Sequence, residues 1–166
     1  MRDVRITGSG QLLELQRRLR AAGHENLRSS LQRRIRRAAE PLRDDLQSAV
    51  RGLNIRGQGG SGRGGRSPTT RPLRATIADA IRISVRTTGT VGARVWIDRS
   101  ALPPDMRAMP NKLNDGRWRH PVFGNRRRWA TQYASPWWEI TIRRHTPRME
   151  REVARVLDDV QRRLGG

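Results

Sequence analysis

The sequence predicts an α+β fold: long amphipathic N-terminal helices and a C-terminal helix packed on a small antiparallel β-sheet, with a flexible Gly-rich loop. Three observations predict it. Leu27, Leu31, Ile35, Ala38, Leu42, Leu46, Ala49 and Leu53 recur at steps of three and four, the spacing of one helix face. Ile81, Ile83 and Val85, then Val91, Ala93, Val95 and Ile97, alternate with polar or small residues on either side of Thr87-Thr-Gly-Thr90, the pattern of an antiparallel hairpin. A last apolar face, Met149, Val153, Val156, Leu157, Val160 and Leu164, closes the chain. Each strand buries one face, and the long helices are the elements large enough to cover it.

Taken in order, Val4 and Ile6 before Gly8-Ser-Gly10 suggest a short strand ending in a turn. Leu12, Leu15, Leu19 and Ala22 give a short amphipathic helix that Gly23 stops. The Leu27–Leu53 helix carries Arg28, Arg33, Arg34, Arg36, Arg37 and Arg43 on its other face. Pro41 interrupts its hydrogen-bond ladder, at about 3 kcal/mol, and is expected to bend it. Residues 52–66 hold seven glycines and few apolar anchors, which predicts a mobile loop over 52–68. Leu73 to Ala80 reads as a short helix with Leu73, Ile77 and Ala80 towards the core. Ser100 to Trp138 carries five prolines and four of the five tryptophans, and reads as loop-rich. The closing helix is expected from Pro147 to Leu164, with Thr146 as N-cap and Pro147 at the first helical position. The whole of 1–166 reads as a single domain.

Composition bounds the function. A chain of 166 residues can bury about 70% of its unfolded surface in one core without disulfides or metal. The absence of Cys excludes disulfide frameworks, zinc ribbons, iron–sulfur clusters and thiol nucleophiles. No apolar run approaches the roughly 20 residues of a membrane span, and the first residues lack the apolar stretch of a signal peptide, so a soluble chain made in the cytoplasm is expected. The net charge is +20, from 35 basic against 15 acidic residues, and Lys112 is the single lysine. Guanidinium suits carboxylate or phosphate, so acidic partners are expected. The charge is spread along the sequence, with 17 basic and 6 acidic residues up to Ala75 and 18 and 9 after it. Such self-repulsion favours assembly beside acidic surfaces or nucleic acid.

Few motifs of the sequence could carry chemistry. Gly57-Gln-Gly-Gly-Ser-Gly62 satisfies G-x-G-x-x-G in form, but a charged helix precedes it and more glycine follows, where a dinucleotide loop needs a strand before and a helix after. The same segment lacks the lysine of a Walker loop. Arg56, Arg63 and Arg66 among its glycines resemble RNA-binding arginine–glycine segments without their interleaved aromatics. His24, His120 and His145 have no His or carboxylate at helical ligand spacing. No G-x-S-x-G elbow occurs, and Asp44-Asp45 and Asp158-Asp159 sit among arginines as local ion pairs. No catalytic, cofactor or metal site emerges. A basic nucleic-acid-binding module remains the alternative, since Arg neutralises phosphate and aromatics stack on bases.

The most distinctive stretch is Gly116-Arg-Trp-Arg-His-Pro-Val-Phe-Gly-Asn-Arg-Arg-Arg-Trp129, continued by Gln132-Tyr-Ala-Ser-Pro-Trp-Trp138. With its order of elements it resembles the neck or tail-completion (minor tail component) family of long-tailed bacteriophages. His120, Val122, Phe123 and Gly124 match that family's short H/E-x-F/Y-G turn. Ala134, Pro136, Trp137 and Trp138 match its A-x-P-F/W lead into the closing helix, and Leu12 to Leu164 follow its element order. Gly124 can take positive φ and reverse the chain after Phe123, while Pro136 starts a helix whose Trp137 or Trp138 packs on the sheet. These residues read as core, with Trp118, Trp129 or Trp138 as an alternative subunit contact.

The resemblance implies a virion structural protein, without enzymatic turnover, that forms a homo-oligomeric ring at the head–tail neck or tail end. Its partners would be connector or adaptor proteins and tail-tube or tail-terminator proteins, with genome DNA passing through the ring without sequence recognition, and no membrane. The Gly-rich loop would become ordered on contact with a neighbouring subunit or ring. Tube lumens in such machines are often acidic, whereas this chain is basic. The faces Arg33, Arg34, Arg36 and Arg37, and Arg126, Arg127 and Arg128, are therefore expected to meet acidic patches on adjacent ring proteins.

Overall fold

The computed structural model describes residues 4–7, 25–57, 72–86, 92–122 and 125–164. The short helix expected over Leu12–Ala22, the turn at 87–90 and most of the Gly-rich loop, 58–71, lie outside them. The described residues form an α+β fold of two three-stranded antiparallel sheets and four α-helices. Strand β1 (Val4–Thr7) is followed by helix α1 (Glu25–Arg51), the two-residue strand β2 (Arg56–Gly57), α2 (Leu73–Asp79), β3 (Ile81–Arg86) and β4 (Gly92–Ile97). Two 3-10 turns, Arg99–Ala101 and Pro104–Met106, lead to α3 (Met109–Asp115), β5 (Arg117–Val122), β6 (Asn125–Tyr133) and α4 (Trp138–Leu164).

The first sheet has the order β1-β4-β3. Its central strand pairs Val95 with Val4 and Ile83, and Ala93 with Ile6 and Val85; along β3 and β4 the alternation read in the sequence becomes one apolar face. Ala93, Val95 and Ile97 are buried there, with Ile81. Helix α1 covers this sheet and packs along α4. Its fully buried stripe is Leu31, Ile35, Ala39, Leu42, Leu46 and Val50, continued by Leu53 beyond the helix end. The face thus advances by 4, 4, 3, 4 and 4 residues. Ala39 and Val50 take the places expected of Ala38 and Ala49, which are half-buried at its margin. Each fully buried Leu or Ile on that stripe is worth about 1.5–3 kcal/mol of removal from water.

Four expectations need correction. The 100–138 segment is mostly regular structure, since α3 and the β5–β6 hairpin occupy it. Its prolines and arginine run mask the period of two on which strand recognition depends. The closing helix begins nine residues before Pro147, which lies inside α4. Thr146 is no cap, because its Oγ1 donates to the Ile142 carbonyl at 3.0 Å. The cap arrives from elsewhere in the chain: Asn114 Oδ1, on α3, accepts the backbone N–H of Trp138 at 3.0 Å and of Trp137 at 3.3 Å, and its Nδ2 donates to Glu139 at 2.8 Å. Trp137 and Trp138 are core residues as expected, meeting edge to face at 5.4 Å between centroids, but Pro136 is exposed.

The fourth correction concerns the start of the Gly-rich segment, which is tied down. Leu53 is buried and its carbonyl accepts a hydrogen bond from Arg74 Nη1 at 2.7 Å. Ile55 packs on the core, and Arg56 and Gly57 pair with Tyr133 and Gln132. Between α3 and β5, Gly116 adopts φ +84°, the left-handed cap that turns the chain into the second sheet. The Ala134 N–H closes on its carbonyl at 2.9 Å.

Candidate interaction surface

The second sheet has the order β2-β6-β5. Strands β5 and β6 pair in regular register from Arg117 opposite Tyr133 to Pro121 opposite Trp129, and the next pair is Val122 with Asn125. One step along β5 therefore faces four along β6, and Arg126, Arg127 and Arg128 are extruded as a bulge. Two side chains hold it. Asn125 Oδ1 accepts the Arg127 N–H at 2.9 Å, and Trp129 Nε1 donates to the Arg126 carbonyl at 2.8 Å. All three arginines are exposed, on a backbone fixed by its own neighbours.

Directly opposed residues of an antiparallel pair share a face, so the register puts Arg56, Arg117 and Arg119 on one side of this sheet with Trp129, Thr131 and Tyr133. The guanidinium of Arg119 lies 5.5 Å from the Trp129 ring centroid, and that of Arg117 lies 6.0 Å from Tyr133. Thr131, between the two rings in register, is buried, while Trp129 stays 50% and Tyr133 39% exposed. The other side carries Trp118, which is buried in the core. No Asp or Glu occurs between Asp115 and Glu139, so the six arginines of this sheet have no acidic residue within its strands.

The arginines expected to act on α1 have a different setting. Arg33, Arg36 and Arg37 are exposed and Arg34 is half-buried; Arg34 and Arg37 line a cleft of about 540 Å³ between α1 and α4, with Arg148, Glu152, Arg155 and Asp159. Arg34 is bound to Asp159 across the helices at 2.6 Å, and Arg162 also pairs with Asp159. Asp45, read as a local ion pair, instead reaches His145 Nε2 on α4 at 2.5 Å, so the buried His145 joins the two long helices. Arg63, Arg66, Phe123 and Gly124 lie outside the described residues. Val122 pairs with Asn125 on either side of the expected turn, which itself lies outside the described residues. His120 beside it is half-buried, with Nδ1 3.1 Å from the Pro121 carbonyl.

Of the three tryptophans weighed as subunit contacts, Trp118 and Trp138 are core and Trp129 is exposed. The grouping of Trp129 and Tyr133 with Arg117 and Arg119 escaped sequence reasoning. Its signal is the even spacing within each strand, legible only once 117–133 is read as a hairpin. Among the described residues no three His, Cys, Asp or Glu side chains converge to hold a metal, and no helix is long and apolar enough to cross a membrane. What the surface can do is bind anions: it offers fixed guanidinium forks, two open rings and no competing carboxylate. Set against protein-family models, curated proteins and solved structures, the chain matches none of them, so a reading of its role rests on its own residues.

Proposed function

We propose that this chain is a virion structural protein that forms a ring at the head–tail neck or tail end of a tailed bacteriophage, acting in tail completion and head–tail joining. The observation that carries the reading is the bulge at Arg126–Arg128. It is an exposed cationic knuckle, held by two side-chain hydrogen bonds, on a hairpin that has no acid of its own. No acid of its own hairpin balances it, which suits a protein that sits against acidic neighbours. The resemblance of 116–138 to neck and tail-completion proteins supplies the identity of those neighbours. The Trp137-Trp138 pair and the lead into α4 are its structural half, and the exposed Arg126–Arg128 run is its docking half. Connector and tail-tube proteins are the partners, through acidic patches facing Arg126–Arg128 and the exposed Arg33 and Arg36.

The test is assembly. Electron microscopy of the purified chain, alone and mixed with the products of the adjacent genes, should show rings. Replacing Arg126, Arg127 and Arg128 together by Glu should abolish them while leaving the circular dichroism spectrum unchanged. Rings formed equally well by the charge-reversed protein, or a wild-type chain that stays monomeric with every such partner, would overturn the reading.

A further inference from the structure

We infer that the open face of the second sheet is a binding site for single-stranded nucleic acid. Arg56, Arg117 and Arg119 would hold phosphates there, and Trp129 and Tyr133 would stack on bases. This goes beyond the assembly reading and stands without it, because its arginines and rings are not the Arg126–Arg128 side chains themselves, although Trp129 also braces that bulge through its bond to the Arg126 carbonyl.

Three observations combine. The pairing register puts the three arginines and the two rings on one face. That face is open: all five residues are exposed, and the rings expose 50% and 39% of their surface although aromatics ordinarily supply core area. It is also without acid, so a polyanion meets no like charge along the strands. The rings decide between classes of polyanion. An acidic protein patch would be served by the guanidiniums alone, whereas exposed rings four residues apart on one strand, about 13 Å, suit planar bases along an unpaired strand. A duplex hides its base faces in the stack and can use only the arginines. Cation–π contacts at 5.5 and 6.0 Å hold the guanidiniums beside the rings, so phosphate-binding and stacking groups alternate across the face.

A chain of net charge +20 binds any polyanion to some degree, so the test must separate rings from charge. The full-length protein is titrated with a twelve-residue oligothymidylate and, in parallel, with polyglutamate, over a range of salt. Trp118, Trp137 and Trp138 are buried and Trp96 is half-buried, so quenching of tryptophan fluorescence by the oligonucleotide reports mainly on Trp129. The expected results are quenching by oligothymidylate, a loss of roughly tenfold in affinity for each of Trp129→Leu and Tyr133→Leu, and an unchanged salt slope in both. Arg117→Gln and Arg119→Gln should instead lower the slope by about 0.7 each. Polyglutamate binding should be indifferent to the ring substitutions. Oligothymidylate binding that survives loss of both rings, or polyglutamate bound as tightly as oligothymidylate, overturns the inference and leaves a surface for an acidic protein. Absence of binding overturns it too. If a ring variant fails to fold, the wild-type titration decides: without quenching the site is refuted. The Tyr133, Arg117 and Arg119 variants leave the bulge and its two braces in place, so their outcomes are distinguishable from ring assembly, which is read by microscopy.

Discussion

Asn114→Ala removes the acceptor that caps α4 from α3. Asn114 is 9% exposed and its Oδ1 takes both the Trp138 and the Trp137 N–H, while its Nδ2 binds Glu139. Loss of a side-chain N-cap costs about 1 kcal/mol. Here the capped backbone belongs to two buried tryptophans, and the loss of a buried hydrogen bond, the stronger being that of Trp138 N–H at 3.0 Å, adds about 1–2 kcal/mol. The 3.3 Å bond adds little. The sum, about 2–3 kcal/mol, corresponds to a fall in Tm of roughly 5–10 °C for a chain of this size. Urea unfolding followed by circular dichroism measures it directly. Asn114→Asp separates capping from packing: it keeps the acceptor and places negative charge at a helix N-terminus, which is favourable, but gives up the donor and faces Glu139. Its stability should fall between wild type and Ala. An Ala variant within 0.5 kcal/mol of wild type, or an Asp variant no better than Ala, would refute the assignment of Asn114 as the cap.

Three further outcomes follow from the same structure. Gly116→Ala forces a side chain into φ +84° and sets its Cβ 3.1 Å from the Ala134 carbonyl oxygen, so it should cost about 1–2 kcal/mol in the same urea experiment. Leu46→Ala empties a fully buried position on the α1 stripe and should cost about 2–5 kcal/mol, whereas Arg155→Gln, at an exposed helix pair, should stay within about 0.5 kcal/mol of wild type. The Ser100 hydroxyl hydrogen bond holds the Asp98 carboxyl below its ordinary value of 3.8, assisted by the Ser100 and Ala101 N–H groups and by Arg82. A lowered folded value stabilises above pH 3.8, and that contribution disappears as pH falls through it. The stability difference between wild type and Asp98→Asn should therefore be constant near neutrality and shrink below about pH 4 in acid titration of folding.

How much was legible depended on whether a signal was local. The α1 stripe and the β3–β4 alternation were readable because each element's pattern is set by its own burial, and only the choice between Ala38 and Ala39 needed the packed neighbours. The start of α4 was unreadable for a physical reason. Its cap is Asn114, 24 residues before Trp138, and no window that ends at the helix contains it. Thr146-Pro147 carries a genuine start signal, which the continuous buried face from Trp138 through Thr141, His145 and Met149 overrides. The hairpin 117–133 was hidden because its outward positions are arginines and aromatics in place of a polar/apolar alternation. Its bulge adds three residues to one strand and shifts the phase partway along it. The interaction surface was missed with it, since residues 117, 119, 129 and 133 become neighbours only through that register.

The register also changes what the net charge means. Along the sequence the charge is even, but in space it is not. Helix α1 carries seven arginines against four acids and α4 carries seven against five, so 54 helical residues contribute only +3 and +2. The 17 residues of β2, β5 and β6 carry six arginines and no acid, a contribution of +6. The helices use their carboxylates on one another, as Arg34–Asp159 and His145–Asp45 do across the α1–α4 contact, and this lowers the repulsion between two long basic elements that must pack side by side. On the second sheet Arg56, Arg117 and Arg119 are exposed on one face, and no acid lies within its strands. Acids placed there would weaken an external anion contact without stabilising any internal one. The segregation therefore separates the two sets of arginines: Arg34 on α1 is tied to Asp159 on α4 within the fold, whereas the six of the second sheet have no acidic residue within its strands.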